Sequence, residues 1–426
     1  MKRAICDVAL ALVLLALSFT LSNAQKLSAD EQKIIDYVDA HMGEAVITLE
    51  NVVNTESPSE DIAGVKQVGS IFKRELELLG LTARWIDMPG EMKRAGHLVA
   101  STKGTKGKRV LLLGHIDTVL RGEKFRREGN KAFGTGSSDM KAGDVVLLYA
   151  LKALHATGAL KDTRITVMLT GDEESAGHPI EISRRDMVSA AKESDLALSF
   201  EGTVGNTATV GRRGSSNWTL EVQARTGHSA GIFGESMGSG AIFEAARVVN
   251  KFYDTLHNEK YLTLNPSLIV GGTEASLDGS SGMATGKTNV VAGKAIVRGD
   301  LRFISEAQKE SARAKMREIV DRALPRAASK ITFEDGYPAM TPSEGNYALL
   351  REMDQASQDL GFGKIEALDP GARGAGDIAF ISHLIPGLDG IGASGGGAHA
   401  PGEYADLGSL PKITKKAALL IYRLTR

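Results

Sequence analysis

Leu111-Leu-Leu-Gly-His115-Ile-Asp117-Thr-Val119 is the stretch that decides the fold. Val110 to Leu113 form a short unbroken apolar run closed by Gly114, the pattern of a strand buried on both faces. Just past that run stand an imidazole, His115, and two residues later a carboxylate, Asp117. In extended chain, residues i and i+2 point to the same side. His115 is thus able to face a metal while Asp117 fixes its tautomer through the other ring nitrogen. By itself H-x-D is weak evidence, and its weight comes from the surrounding chain.

Apolar strands alternate with amphipathic helices on both sides of this stretch. Strands are predicted at Ala83–Ile86, His97–Ala100, Arg109–Leu113, Ile165–Leu169 and Leu196–Phe200. Helices are predicted over 31–49, 62–79, 141–155, 181–192 and 346–360, the first opened by the capping-box spacing Ser28-Ala-Asp-Glu31. This alternation argues an α/β layered domain with a mostly parallel sheet. Near Gly211 the pattern changes. A strand at Trp218–Val222, a helix at Gly240–Leu256, strands at Leu268–Val270 and Lys294–Phe303, a helix from Ser305 to Leu324 and a strand at Lys330–Phe333 follow in order. The order β-α-β-β-α-β is the ferredoxin-like signature. The expected organisation is a catalytic, metal-binding domain over 25–211 and 337–426, with an α+β lid or dimerisation domain inserted over 212–336.

The chain has 426 residues, 42% hydrophobic and 24% charged, with a formal net charge of -1. Composition gives no case for nucleic acid or an anionic membrane surface as partner. Lys2 and Arg3 precede an apolar run from Val8 to Leu21, then Ser22-Asn-Ala24, the layout of a secretory signal over residues 1–24. The run is short for a membrane span. A secreted or periplasmic protein is expected, with no membrane attachment after signal removal. The single cysteine, Cys6, lies in that segment, so the mature chain offers no thiolate ligand or nucleophile.

Five acidic residues and two histidines stand at strand ends or in adjoining glycine-rich loops. They are His115 and Asp117; Asp139 in Gly134-Thr-Gly-Ser-Ser-Asp-Met-Lys-Ala-Gly143; Glu173 and Glu174 after the Ile165–Leu169 strand; Glu201 after Phe200; and His399 in Ala398-His-Ala-Pro-Gly-Glu-Tyr404. In a parallel sheet such positions meet at its carboxyl edge. Crowded carboxylates raise one another's pKa unless cations offset them. Imidazole and carboxylate ligands without sulfur suit two divalent ions, zinc first, with cobalt or manganese also admitted. Each residue also has a plainer reading: a solvated helix start for Glu173-Glu174, a loop histidine for His399, a turn residue for His228 and an outward strand residue for Arg302. The set in its order favours chemistry.

These blocks resemble the co-catalytic zinc exopeptidase family of bacterial carboxypeptidase G, the aminoacylases, succinyl-diaminopimelate desuccinylase and peptidase T. The similarity runs through nearly all of the chain after the leader, lid included. It implies that His115 binds one ion and Asp117 orients it, and that Asp139 bridges both ions, with a cis Asp139–Met140 peptide. It further implies Glu173 as the general base, Glu174 and His399 as ligands of the second ion, and Glu201 as ligand of the first. In the lid, His228 of Gly227-His-Ser229 would reach across a homodimer and stabilise an oxyanion. Asn289 and Arg302 would hold the carboxylate of a small peptide or N-acyl amino acid. Where the family often has Gly-Gly-Thr-Asp, this chain reads Gly374-Ala-Gly-Asp377, which bears on the shape of the pocket. The expected activity is metal-dependent amide hydrolysis of glutamate-carboxypeptidase type. An exported aminoacylase or dipeptidase is the alternative, and a non-catalytic, metal-retaining peptide-binding protein is the reading from another class.

Overall fold

The computed structural model describes residues 27–426, so the leader expected over 1–24 lies outside the described residues. The strand Lys106–His115 sits inside a six-stranded sheet, parallel to Thr163–Thr170 on one side and to Leu196–Ser199 on the other. Gly387–Leu388 extends the parallel part, whereas His97–Ser101 and Thr82–Ile86 add antiparallel strands at the opposite edge. Val110 and Leu112 enter one hydrophobic core, and Leu111 and Leu113 enter a second core on the other face. Both faces of this strand are dry, which is why its apolar residues run consecutively instead of alternating.

The helices Ala29–Val53, Ala142–Ala156 and Leu410–Leu424 pack together over the first face. The first of them carries the capping box in full: Ser28 Oγ accepts from the Glu31 N–H at 3.2 Å and Glu31 Oε2 accepts from the Ser28 N–H at 2.8 Å. Met187 and Ala191, from the helix Arg185–Lys192, cover the second face together with Ile378 and Ile381. The single helix expected over 181–192 is two, Ile180–Ser183 and Arg185–Lys192: the backbone leaves helical values at Arg184 (φ -95°, ψ 0°), whose side chain forms a buried ion pair.

A four-stranded antiparallel sheet, Thr263–Gly272, Lys294–Phe303, Gly214–Ala224 and Ala327–Asp335 in spatial order, forms a separate layer. Trp218, Leu220, Val222, Val297 and Leu301 pack against the helices Gly240–Leu256 and Glu306–Asp321 in a core of their own. Arg298, Asp300 and Arg302 alternate with those inward positions and so lie on the face away from the helices. Sequence patterning missed an exposed hairpin of Glu274–Asp278 and Ser281–Thr285 within this layer. The two residues of its turn, Gly279-Ser280, with Gly279 at φ 55°, were the available signal.

A second small sheet does more for the site. Arg126–Glu128, Lys131–Phe133, Tyr404–Asp406 and Gly395–Gly396 pair antiparallel. Strands of two or three residues carry too little pattern to be read from sequence, yet these fasten the loop of His399 beside the loop of Asp139. No helix of the described residues is long and apolar enough to cross a membrane.

Candidate metal centre

Three parallel strands end side by side, and each delivers an acid or imidazole at its carboxyl tip. His115 is the last residue of its strand, Glu173 and Glu174 follow Thr170, and Glu201 follows Phe200. Asp139 enters from the loop that opens helix Ala142–Ala156. That helix starts close against the Glu201 segment: a Cβ on Gly143 would lie 2.0 Å from the carbonyl oxygen of Phe200. The Asp139–Met140 peptide is cis. His399 adopts the left-handed region at φ 63°, uncommon for a residue other than glycine, on the loop between the short strands Gly395–Gly396 and Tyr404–Asp406.

Their ligand atoms form three close groups: His115 with Glu173 and Glu174, and two triads that share Asp139. His115, Asp139 and Glu201 bring their ligand atoms within 4.8 Å of one another, as do Asp139, Glu174 and His399. The two oxygens of Asp139 divide between them. Oδ1 lies 3.2 Å from His115 Nε2 and Oδ2 lies 3.2 Å from His399 Nε2. His399 Nε2 is 3.1 Å from Glu174 Oε2, and His115 Nε2 is 3.7 Å from Glu201 Oε1. One carboxylate facing two imidazole–carboxylate sets is the donor arrangement of a paired divalent-cation site without sulfur. These residues therefore fit two such ions.

Asp117 does more than orient His115. The ring's Nδ1 lies 3.2 Å from the Asp117 carbonyl oxygen and 3.4 Å from its carboxylate. The carboxylate accepts hydrogen bonds from the backbone N–H groups of Glu173 and Glu174, at 3.0 Å each, and from Ser59 Oγ at 2.6 Å. One buried acid thus sets the imidazole and the Glu173–Glu174 turn together.

Sequence reasoning missed Glu403. Its buried carboxylate accepts from Gly136 N–H (2.7 Å), Ser138 N–H (2.8 Å), Ser138 Oγ (3.0 Å) and Asp139 N–H (2.9 Å). It pins the loop that carries the shared ligand. A lone glutamate four residues after a histidine announces nothing of this, because its partners are backbone groups distant in sequence. Arg184 was missed as well. Fully buried, it pairs with Asp172 (2.6 Å) and Asp377 (2.8 Å) and donates to the Tyr337 hydroxyl at 3.0 Å. Tyr337 in turn donates to the Glu173 carbonyl at 2.5 Å.

The departure at Gly374-Ala-Gly-Asp377 has a steric cause. A Cβ on Gly376 would lie 2.3 Å from Nη1 of Arg212. That buried guanidinium pairs with Asp389 at 2.9 Å, lies 3.8 Å from Glu201 and donates to the Gly374 carbonyl at 2.9 Å and to the Ala375 carbonyl. Threonine at 376 and this placement of Arg212 exclude each other.

The acids of the centre favour protonation of the two imidazoles. Burial opposes a charge on His115, yet hydrogen bonds to Asp117 and Asp139 hold its pKa well above the usual value. His399 is pushed up to about 10 by Asp139 and Glu174. Burial raises Glu173 well above the ordinary carboxyl range, raises Glu174, and pushes Glu201 up to about 7. Asp139, although buried, is held below its ordinary value by the two histidines. Divalent cations would take the place of these protons.

The lid residues stand apart from this cluster. Arg302 pairs with Asp300 at 2.8 Å on the helix-free face of its sheet. His228 and Asn289 are neighbours: His228 bridges Val290, and the Ser229 N–H donates to the Asn289 carbonyl at 2.9 Å. The Ala230 N–H donates to His228 Nδ1 at 3.1 Å, which leaves the neutral ring's proton on Nε2. Among the described residues none of the three makes a hydrogen bond or ion pair to the metal-binding side chains.

Fold and site together define a metal-dependent hydrolase with its ligands at the tips of a parallel sheet. The model of Peptidase family M20/M25/M40 matches residues 111–423, and the chain belongs to that family of metallopeptidases. It is 29% identical over 388 residues to carboxypeptidase G2 of Pseudomonas sp. (strain RS-16), covering 88% of each chain. Among solved structures it resembles the aminopeptidase PepT of Bacillus cereus, with a TM-score of 0.73 at 17% identity over 90% of this chain and 99% of that one. A dinuclear metal-binding peptidase of the M20 family from Bacillus subtilis superposes with a TM-score of 0.62 at 14% identity, covering 91% of this chain and 99% of that one.

Proposed function

We propose that this metallopeptidase hydrolyses the amide bond of small peptides or N-acyl amino acids bearing a free carboxylate, releasing glutamate in the manner of a carboxypeptidase. The observation that carries the reading is Glu173. It lies close to His115 and Glu174, which the two triads built on Asp139 already use, and among the described residues its carboxyl accepts no hydrogen bond. A raised pKa suits a group that must take a proton and give it up again. The similarity to carboxypeptidase G2 supports the choice of substrate class.

His115, Asp139 and Glu201 would hold one ion, and Asp139, Glu174 and His399 the other. Two bound cations, zinc in our reading, supply Lewis-acid polarisation of the substrate carbonyl and make water more acidic. Glu173 accepts the proton of the attacking water and delivers it to the leaving amine. Asp117 keeps His115 and the Glu173 turn in register. Arg302 and Asn289 hold the substrate carboxylate, and the Nε2–H of His228 donates to the developing oxyanion.

Because His228, Asn289 and Arg302 all lie away from the cluster within one chain, we assign them to the partner's site in a homodimer formed through the lid. Supporting this, the edge strand Thr263–Gly272 and the adjacent helix expose Ile269 (59%), Phe243 (53%) and Tyr253 (63%). The leader of residues 1–24 would direct the chain to the periplasm or outside the cell.

The test is a product screen of metal-loaded protein against N-acyl amino acids and dipeptides that differ at the C-terminal residue. Release of the C-terminal residue by wild type, lost in Glu173→Ala with both ions retained, is the expected result. Equal slow rates in the two proteins would mean that the chain merely binds peptides. Cleavage from the amino end would favour the dipeptidase alternative.

A further inference from the structure

One wall of the metal centre opens into a small pocket of about 190 Å³, lined by the ligands Asp139 and Glu201 together with Thr203, Arg373 and the glycines 395–397. An acidic group in this pocket would lie beside two ligand carboxylates, which offer it no hydrogen bond, and would need donors from a nearby guanidinium. Two arginines are close. Arg212 is consumed, paired with Asp389 and donating to two loop carbonyls. Arg373 is not. Of its five N–H donors, Nη2 donates to the Gly202 carbonyl at 2.6 Å, and Nε is buried with no acceptor. Among the described residues no carboxylate lies within ion-pair distance of it, although Asp139 and Glu201 line the same pocket. Its place is fixed from both sides, by the turn Pro370–Ala372 before it and by Arg212 holding the Gly374 and Ala375 carbonyls after it.

We infer that Arg373 is a specificity-determining residue that receives a second carboxylate of the substrate, beyond the one gripped by the lid. This deepens the amidohydrolase reading above and rests on it. A guanidinium with unused, coplanar donors is shaped for a carboxylate taken in bidentate fashion. A pocket of this size admits a short acidic chain and little more. The second carboxylate belongs either to the side chain of the released residue or to the far end of the acyl group; both present the same chemistry to Arg373.

Two matched substrate pairs separate these sources: N-acetyl-glutamate against N-acetyl-glutamine, and glutaryl-glycine against its terminal monoamide. Metal-loaded wild type is expected to favour the acidic member of one pair by about 10- to 100-fold in kcat/KM, the worth of a charge-assisted hydrogen-bonded contact. Arg373→Gln should bring that ratio close to unity, and Arg373→Lys should keep part of it. Calorimetric binding of the products, L-glutamate against L-glutamine and glutarate against glutaramate, should show the same loss without needing turnover. An unchanged ratio in Arg373→Gln overturns the inference. So does hydrolysis of both pairs by wild type with no preference for the acid. If none of the four compounds is hydrolysed, the amidohydrolase reading falls, and the binding comparison still decides Arg373: equal binding of glutamate and glutamine, and of glutarate and glutaramate, excludes its role.

Discussion

Replacing Glu403 tests how far the shared ligand depends on a residue that touches no metal. Its carboxylate accepts four hydrogen bonds from the loop 136–139, three of them from backbone N–H groups. A hydrogen bond to a charged group contributes about 1.5–3 kcal/mol, and such terms do not add when they share one acceptor. In Glu403→Ala three N–H donors lose their acceptor in a buried place. We expect local destabilisation of about 3–5 kcal/mol, comparable with breaking a buried charged pair. Because Asp139 belongs to both triads, both ions should bind about 10- to 100-fold more weakly. Glu403→Gln is the sharper probe. Oε1 accepts three of the bonds and Oε2 the fourth, so an amide must turn its NH2 toward a donor on one side or the other. The isosteric variant should therefore lose at least about 10-fold in metal affinity as well. Isothermal titration of the metal-free protein with zinc, alongside a thermal melt, reads both effects. A folded Glu403→Ala protein that takes up two ions with wild-type affinity would refute the argument.

Other outcomes follow from the same geometry. Glu173→Gln should retain both ions and lose about 100- to 10,000-fold in kcat, the usual contribution of a positioned acid–base group; steady-state kinetics with metal analysis checks this, and wild-type turnover would remove its role. Metal uptake at neutral pH should release protons, because His115 and His399 are held in their charged forms until cations arrive. Apparent affinity should thus fall as pH drops. Titrations in buffers of different ionisation enthalpy measure the proton count, and a count of zero near pH 7 would contradict the picture. Gly376→Thr should cost about 1–3 kcal/mol by forcing its side chain into the Arg212 guanidinium; an unchanged urea midpoint would show that Arg212 moves freely.

In the lid, buried Glu244 accepts from Arg247, the Leu324 N–H and Ser329. Burial opposes its charge, but these partners hold its pKa below the ordinary 4.5. A depressed carboxyl stabilises the fold above its unfolded value, and that stability drains as pH falls through the folded value. Glu244→Gln should lower stability near pH 6 and flatten its decline below about pH 4.5, as followed by unfolding at graded pH. A mutant curve parallel to wild type would exclude this contribution.

Much of the metal centre was legible in the chain because each ligand follows a strand signal or sits in a glycine-rich loop. Consecutive apolar residues from Val110 to Leu113 announce a strand buried on both faces, and parallel strands bring their following residues to one edge. His115, Glu173, Glu174 and Glu201 need nothing more to converge. The ferredoxin-like order of the lid was similarly readable, since its helices and strands are long enough to show their periods.

What only the tertiary structure decided depends on groups that carry no local pattern. Glu403 reaches backbone N–H groups that lie some 265 residues earlier in the chain. Arg212 excludes a side chain at Gly376, and the small sheet joining Lys131–Phe133 to Tyr404–Asp406 is built from strands too short to announce themselves. Periodicity in a sequence reports which face of an element meets the core. It cannot report which distant carbonyl, amide or guanidinium will occupy a particular few ångströms, because that is settled only when the packed layers are closed against one another.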